Sequence, residues 1–346
     1  ARWSGMGGRG GGAAASSAEP EEDDGALASE WEEVAARTEE IRKKELENVG
    51  KVAPQDDIMA TPISYKEAQQ WLLMLAVDPD KLQPEREEEV EDTRCLCMSR
   101  KRLMGDIPGL DRKLWRDKDL VLYLKTIDFD FNTVEHFRML RTIYIKLTRN
   151  KTCSSIGRHW EVLGFQHTDP RTDLNRSGGV LNVLHLFYFH SHHFDILKSA
   201  YLLAQDAEQN FPLACVSINL TRFMLEALLN GKLSGLCNAS EKGVFDTTCK
   251  VYAGAMFHFY NQWRSQKRTI RDTELTFNEV KALLMSRPAR LIDGLEKGVL
   301  EHKAKNDPAR FEFTDLDFTQ RADSARAAPT PTRAPASSIP RRLLNY

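Results

Sequence analysis

One arginine in this chain stands in surroundings suited to presenting a positive charge. Arg176 follows a polar stretch containing Asp169, Pro170 and Thr172, and two adjacent glycines come soon after it. Proline fixes its own φ, Asp and Thr side chains bond nearby backbone, and glycine permits positive φ. We therefore predict a tight loop that presents a planar, permanently charged guanidinium suited to phosphate oxygens. The alternative from the same residues is a surface arginine paired with Asp173 or Asp169.

The histidines and cysteines complete no recognisable metal site. His190, His192 and His193 lack i, i+4 spacing on one helix face and have no distant partner motif, so a helix end that favours positive charge is the simpler interpretation. His185 lies in an apolar stretch and is predicted to be a hydrogen-bonded core residue. The six cysteines are predicted to be reduced thiols partly buried in helices, because their spacings form no ligand set. We expect neither metal nor cofactor.

Nucleotide-hydrolysis motifs are also missing from the sequence. Gly231 and Lys232 stand together, but Glu226 occupies the position where a P-loop requires glycine. The basic stretch 264–271, next to Trp263, is interpreted as a solvated helix end. No hydrolase elbow, zinc-protease or kinase motif is present, so we expect no enzyme activity of the chain's own.

Composition excludes several partner classes. The chain has 346 residues, a formal net charge of −2 and 41% hydrophobic residues. This balance indicates neither nucleic-acid binding nor strong attraction to an anionic membrane. The longest apolar runs are shorter than the roughly 20 residues of a membrane helix. We therefore expect a cytoplasmic protein that associates with membranes at most peripherally.

Apolar residues recur at helical spacing through the middle of the chain. Stripes over 120–127 and 134–147, an apolar stretch over 180–189 and later segments predict an all-α fold, since no alternating strand pattern competes. The later segments are 194–208, 211–229, 242–267, a helix beginning near Thr276, and a short final segment after Pro288. Ser64 and Glu67 have the spacing of a capping box for an earlier helix, and the acidic, proline-containing stretch 79–93 is predicted to be a loop.

Four regions follow from these patterns. Residues 1–60 are predicted to be a disordered, charged extension containing a helix at 29–48. Residues 61–113 form a helical lead-in and linker, 114–297 the main helical domain, and 298–346 a mostly disordered tail.

The stretch around Arg176 resembles the ELMO (engulfment and cell motility) domain family, and most closely the short ELMO domain-containing proteins. Their motif reads approximately W-x3-GFQ-x3-P-x-TD-(F/L)-R-G-x-G, followed by spaced leucines. The matching residues are Trp160, Gly164, Phe165, Gln166, Pro170, Thr172, Asp173, Arg176 and Gly178. Looser agreement extends from near 115 to near 295.

The resemblance implies an activator of GTP hydrolysis by Arf-family small GTPases in their GTP-bound form. A motif arginine, here Arg176, would be supplied in trans, and the remaining motif residues together with Asn175 would contact the GTPase. The partner would bring the nucleotide, the magnesium ion and the water-positioning residue. One alternative is a non-catalytic interaction module of the same fold that binds a GTPase or another partner through the charged 29–48 helix. Another is a structural component of a cytoskeletal or ciliary assembly. Partners would recruit the protein to membranes, the cytoskeleton or a cilium.

Two residues depart from the family pattern. The family has its arginine directly after Thr-Asp-(Phe/Leu), whereas Asn175 intervenes here and Ser177 replaces the following glycine. Alignment back from the leucines of the next helix puts Arg176 at the arginine position, and alignment forward from Asp173 puts Asn175 there. Arg171 is a further nearby arginine.

Overall fold

The computed structural model describes residues 32–33, 59, 61–78, 80–82, 89–91, 101–103 and 107–305. Within these ranges the fold is all-α, as the apolar stripes predict. The α-helices are α1 (Tyr65–Met74), α2 (Trp115–Thr126), α3 (Val134–Thr148), α4 (Arg171–Leu174), α5 (Gly179–His192), α6 (Phe194–Ala204), α7 (Leu213–Leu229), α8 (Ser234–Ala239), α9 (Gly243–Ser265), α10 (Thr273–Ser286) and α11 (Ala289–Lys305). Short 3-10 turns lie at Asp80–Leu82, Arg112–Leu114, Arg158–Leu163 and Ile270–Asp272.

Two short strands accompany the helices. Strand β1 (Glu89–Glu91) pairs antiparallel with β2 (Lys101–Leu103), with Glu89 opposite Leu103. The prediction of a loop over 79–93 is therefore wrong at its end, where three residues join this hairpin. The hairpin does not alter the fold class.

Helix α5 lies at the centre of the fold. Every residue from Gly179 to Phe189 is buried, as expected of a helix that is apolar on all sides. Helices α2, α3, α7 and α9 all pack against it. Because α5 begins three residues after Arg176, the loop that carries this arginine is attached to the most buried element of the fold.

Helix α1 is tied to α3 by a buried arginine. The Ser64 hydroxyl accepts a hydrogen bond from the Glu67 amide at 3.2 Å, which confirms the predicted N-cap. The Glu67 carboxylate instead pairs with the Arg138 guanidinium, which also donates to the backbone carbonyls of Thr61 at 3.0 Å and Pro62 at 3.1 Å. The lead-in segment is therefore packed onto the main helices.

Two predicted helix limits are wrong. Helix α6 ends at Ala204, not 208, because the Asp206 carboxylate accepts from the backbone amides of Glu208 and Gln209 and forms a turn. The segment after Pro288 is a 17-residue helix, since proline fits the start of a helix, where its missing N–H is not needed.

The remaining terminal predictions fall largely outside the described residues. Of the predicted helix 29–48 only Glu32 and Glu33 are described, and they are helical. The chain divides into two units after Gly298, and the described part of the second is the end of α11. Among the described residues no helix is long and apolar enough to span a membrane. The described cysteines, at 153, 215, 237 and 249, are buried free thiols.

Candidate functional site

The one-turn helix α4 follows a turn that the Asp169 side chain closes. The Asp169 carboxylate accepts a hydrogen bond from the Arg171 amide at 3.0 Å, and the Asp169 carbonyl accepts from the Thr172 hydroxyl at 2.7 Å. The Arg171 guanidinium pairs with the same carboxylate at 2.7 Å, which lowers the pKa of Asp169. It also lies over the Phe131 ring, 5.0 Å from its centroid. Arg171 is thus held against α4 by two contacts.

Asp173 is a buried carboxylate that joins three parts of the site. Its side chain is 1% exposed. One oxygen accepts from the Gln166 amide at 2.8 Å, and the other accepts from Nη2 of Arg176 at 2.9 Å. The His167 ring lies 3.5 Å from the same carboxylate. A buried carboxylate with these donors fixes the stretch 166–167 against α4.

Arg176 is anchored at one end and open to solvent along most of its side chain. Nη2 donates to Asp173 and to the side-chain oxygen of Gln166, while 57% of the side chain remains exposed. The predicted pairing with Asp173 is therefore present, and Asp169 pairs with Arg171 in place of Arg176. The Arg176 side chain is therefore part of the surface, although one guanidinium nitrogen is bonded to the protein.

Asn175 is held by the connection between α2 and α3. Its side-chain oxygen accepts from the Phe129 amide at 2.7 Å, and its side-chain nitrogen donates to the Phe129 carbonyl at 3.2 Å. Both backbone groups of Phe129 are thus bonded by one side chain. Of the two residues that the family motif could place at its arginine position, Asn175 faces the protein and Arg176 faces solvent.

Two glycines bring the loop close to α2. Gly178 and Gly179 have φ of 98° and 49°. A Cβ on Gly179 would lie 2.2 Å from the Ile127 carbonyl oxygen, and the Val180 amide donates to that same oxygen at 2.8 Å. Only glycine fits this approach.

Asn182, in the first turn of α5, holds the end of α4 from the other side. Its side-chain nitrogen donates to the carbonyls of Leu174 at 2.8 Å and Ser177 at 2.6 Å. These are carbonyls that a helix end and a loop leave without backbone partners. The loop carrying Arg176 is therefore bonded to both α2 and α5.

The rest of the motif forms a buried base beneath this loop. The Trp160 ring is fully buried, packs edge-on against Phe165 and donates to the Ser155 carbonyl at 3.0 Å. Gly164, with φ of 88°, approaches the backbone of α7 so closely that a Cβ would lie 2.5 Å from Pro212. These residues stabilise the segment that carries Gln166.

The predicted site residues thus fall into two groups. Thr172 and Arg176 are exposed, and Asn175 is half-buried. The other predicted residues are buried: Trp160, Gly164, Phe165, Gln166, Pro170, Asp173 and Gly178. In this conformation the buried group positions the loop, and contact of any of these residues with a partner stays a prediction.

Sequence reasoning missed three residues that hold the loop. Asn182 has a local signal, because a lone amide in an apolar helix requires hydrogen-bond partners. Ile127 and Phe129 act through backbone groups and have no such signal. Their pairing with residues about 50 positions later depends on the packing of α2 against α5.

The remaining sequence candidates are structural. Burial lowers the pKa of His190 and of His193 to about 4, so both rings are neutral at pH 7 and do not supply the charge expected at a helix end. His185 is fully buried and bonds the Thr221 hydroxyl at 3.1 Å, as predicted. In the basic stretch, Arg268 is buried against Glu279 at 2.8 Å.

Comparisons with known proteins identify a matching family and several related sequences. The model of the ELMO/CED-12 family matches residues 119–277. Human ELMO domain-containing protein 3 is 33% identical over 316 residues, covering 86% of this chain and 81% of the human protein. The mouse protein of the same name is 37% identical over 192 residues, covering 55% of this chain and 50% of its own length. Mouse ELMO domain-containing protein 2 is 27% identical over 101 residues, covering 29% and 34%. No solved structure matches the chain.

Proposed function

Because the chain belongs to the ELMO/CED-12 family, we propose that it activates GTP hydrolysis by a small GTPase of the Arf family, with Arg176 supplied in trans. The observation that carries the proposal is the geometry of this arginine. Its guanidinium is bonded at one nitrogen and its side chain is 57% exposed. A charge held in this way is accessible to a bound partner's nucleotide.

The chemistry requires such a charge. Water adds to the γ-phosphorus of GTP, the bond from that phosphorus to the bridging oxygen breaks, and GDP, inorganic phosphate and a proton are released. Negative charge develops on the phosphoryl oxygens during this step, and an arginine stabilises it. The GTPase supplies the nucleotide site, magnesium and the attacking water, so this chain needs to supply only the guanidinium.

Preorganisation supports the assignment. Fixing the base of a side chain before the reaction lowers the entropy lost on reaching the transition state. Here the residue before Arg176 is bonded to Phe129, and the carbonyl of the residue after it is bonded by Asn182. The hydrogen bonds from Arg176 to Asp173 and Gln166 are partly exposed, so a phosphate group can take the place of these two acceptors at a modest cost in free energy.

The test is single-turnover hydrolysis by a panel of purified Arf-family GTPases loaded with GTP, with the full chain added at increasing concentration. We expect stimulation of at least one GTPase, and a loss of roughly 10³-fold in the maximal rate for Arg176→Ala, the lower end of the effect of arginine fingers. Arg171→Ala tests the other nearby arginine. Arg158→Ala removes an exposed arginine of the preceding segment and serves as the control for loss of charge.

Three results would contradict the proposal. Full stimulation by Arg176→Ala would exclude this arginine, and loss in Arg171→Ala alone would transfer the role to that residue. Binding to a GTP-loaded GTPase without stimulation of any panel member would support the non-catalytic interaction module.

A further inference from the structure

Asn175 makes a paired contact that only a primary amide of its length can make. Its side-chain oxygen accepts a hydrogen bond from the Phe129 amide at 2.7 Å, and its side-chain nitrogen donates one to the Phe129 carbonyl at 3.2 Å. Aspartate lacks the donor, alanine lacks both groups, and glutamine is one methylene longer. The contact joins residues 46 positions apart in the chain.

The Phe129 backbone depends on this contact. Phe129 lies between α2 and α3, and the residue is 1% exposed. Among the described residues no other hydrogen bond to its amide or carbonyl is present. Buried backbone groups require partners, so the amide of Asn175 satisfies both groups and fastens the end of α4 to the α2–α3 connection.

The direction of Asn175 determines the direction of Arg176. Asn175 has near-helical dihedral angles, with φ of −86° and ψ of −7°. Successive side chains in such backbone diverge by about 100°. With Asn175 turned toward Phe129, the next side chain is turned away from it, and Arg176 is the exposed member of the pair.

From this geometry we infer that Asn175 is a positioning residue for Arg176 and does not itself contact the GTPase. Relative to the family pattern, Asn175 lengthens the stretch between Asp173 and α5 by one residue, and its amide anchors that extra residue toward the protein interior. This inference rests on the proposed function, because the positioning matters only if Arg176 acts on the nucleotide.

The experiment compares Asn175→Ala with Asn132→Ala in the single-turnover assay, using the full chain and the GTPase that responds best. Asn132 is an exposed asparagine of the same α2–α3 connection whose amide bonds only Asp130. We expect Asn175→Ala to lower the maximal rate roughly 10- to 100-fold, the scale of a small misplacement of a catalytic group. The concentration for half-maximal stimulation should stay within about twofold, and Asn132→Ala should behave as the wild-type chain.

A double variant separates positioning from a general loss of structure. In the Arg176→Ala background, Asn175→Ala should cause no further loss of rate, because the group it positions is gone. Asn175→Asp, which keeps the size but puts an oxygen against the Phe129 carbonyl, should match Asn175→Ala in maximal rate. Hydrogen exchange of the 127–131 segment should accelerate in both Asn175 variants, by up to about tenfold.

The outcomes are distinguishable. If Arg176→Ala abolishes stimulation and Asn175→Ala does not reduce it, the positioning role of Asn175 is wrong and the proposed function stands. A raised half-maximal concentration with an unchanged maximal rate overturns it in favour of direct contact with the GTPase. Absence of stimulation by the wild-type chain overturns both this inference and the proposed function.

Discussion

The Arg176 guanidinium donates to the Asp173 carboxylate across 2.9 Å, although the two side chains lie in different environments. The Asp173 side chain is 1% exposed and the Arg176 side chain 57%. The carboxylate is therefore part of the interior, whereas the guanidinium is part of the surface. This asymmetry allows the stability of the site and its proposed activity to be altered separately.

We expect Arg176→Ala to lower the free energy of unfolding by only about 1 kcal/mol, because the guanidinium is largely exposed and the buried Asp173 carboxylate keeps its hydrogen bond from the Gln166 amide. Asp173→Ala should lower it by about 1–3 kcal/mol, since the buried Gln166 amide loses its acceptor. Urea denaturation of both variants checks this, with Asp173→Asn as the control that keeps an acceptor oxygen. Equal losses in the two alanine variants would contradict the assignment.

Arg138 is expected to hold the lead-in segment on the main helices. Its guanidinium bonds the carbonyls of Thr61 and Pro62 and the carboxylate of Glu67, and its side chain is 11% exposed. Arg138→Ala removes the donor from these acceptors, which should cost about 1–2 kcal/mol of unfolding free energy, because Thr61 and Pro62 are exposed and Glu67 is 45% exposed, so water replaces part of the lost bonding. Urea denaturation measures the loss, and limited proteolysis should show faster cleavage within 61–78.

Lys146→Ala is the matched control for Arg138→Ala, because Lys146 is an exposed cation of the same helix. It should leave both stability and cleavage near wild type. Restoration of full protection by Arg138→Lys would contradict the role given to the forked guanidinium, since a single ammonium cannot reach the same three acceptors.

The sequence predicts the helices better than the contacts between them. The stripe from Val134 to Leu147 becomes α3, and the mostly apolar stretch 180–189 becomes the central α5, because periodicity is a local property. The exposure of Arg176 also follows from local residue types. The pairing of Asn175 with Phe129 does not, since it depends on how α2 packs against α5.

Gly179 should tolerate no side chain. Its φ is 49°, and a Cβ would lie 2.2 Å from the Ile127 carbonyl oxygen, a backbone atom that cannot move independently. Gly179→Ala should therefore lower the free energy of unfolding by more than about 2 kcal/mol, from strain and steric overlap together.

Gly235→Ala provides the control for this substitution. Gly235 lies in helix α8, and an added Cβ there would meet nothing within 4 Å. Alanine should raise stability by about 0.5–1 kcal/mol, since glycine loses more backbone entropy on helix formation. Thermal unfolding of both variants tests the contrast, and similar shifts in both would be evidence against the close approach at Gly179.

His185 should make the stability of the chain depend on pH. Its ring is fully buried, stacks on Tyr252 and bonds Thr221 at 3.1 Å. Burial lowers its pKa from 6.5 to about 3. The unfolded chain binds a proton at this histidine near pH 6.5, whereas the folded chain does not until the pH approaches 3, so the stabilisation is complete above pH 6.5 and declines as the pH falls. At pH 5 the loss from this residue is about 2 kcal/mol.

Urea denaturation at pH 7.5 and pH 5.0 tests this pH dependence. The difference in unfolding free energy between the two pH values should be smaller for His185→Gln than for the wild-type chain. The control Leu184→Ala, beside His185 in α5, should lower stability equally at both pH values. Equal pH dependence in the wild type and His185→Gln would mean that other buried histidines, such as His136 with its pKa lowered to about 4 by burial, account for the effect.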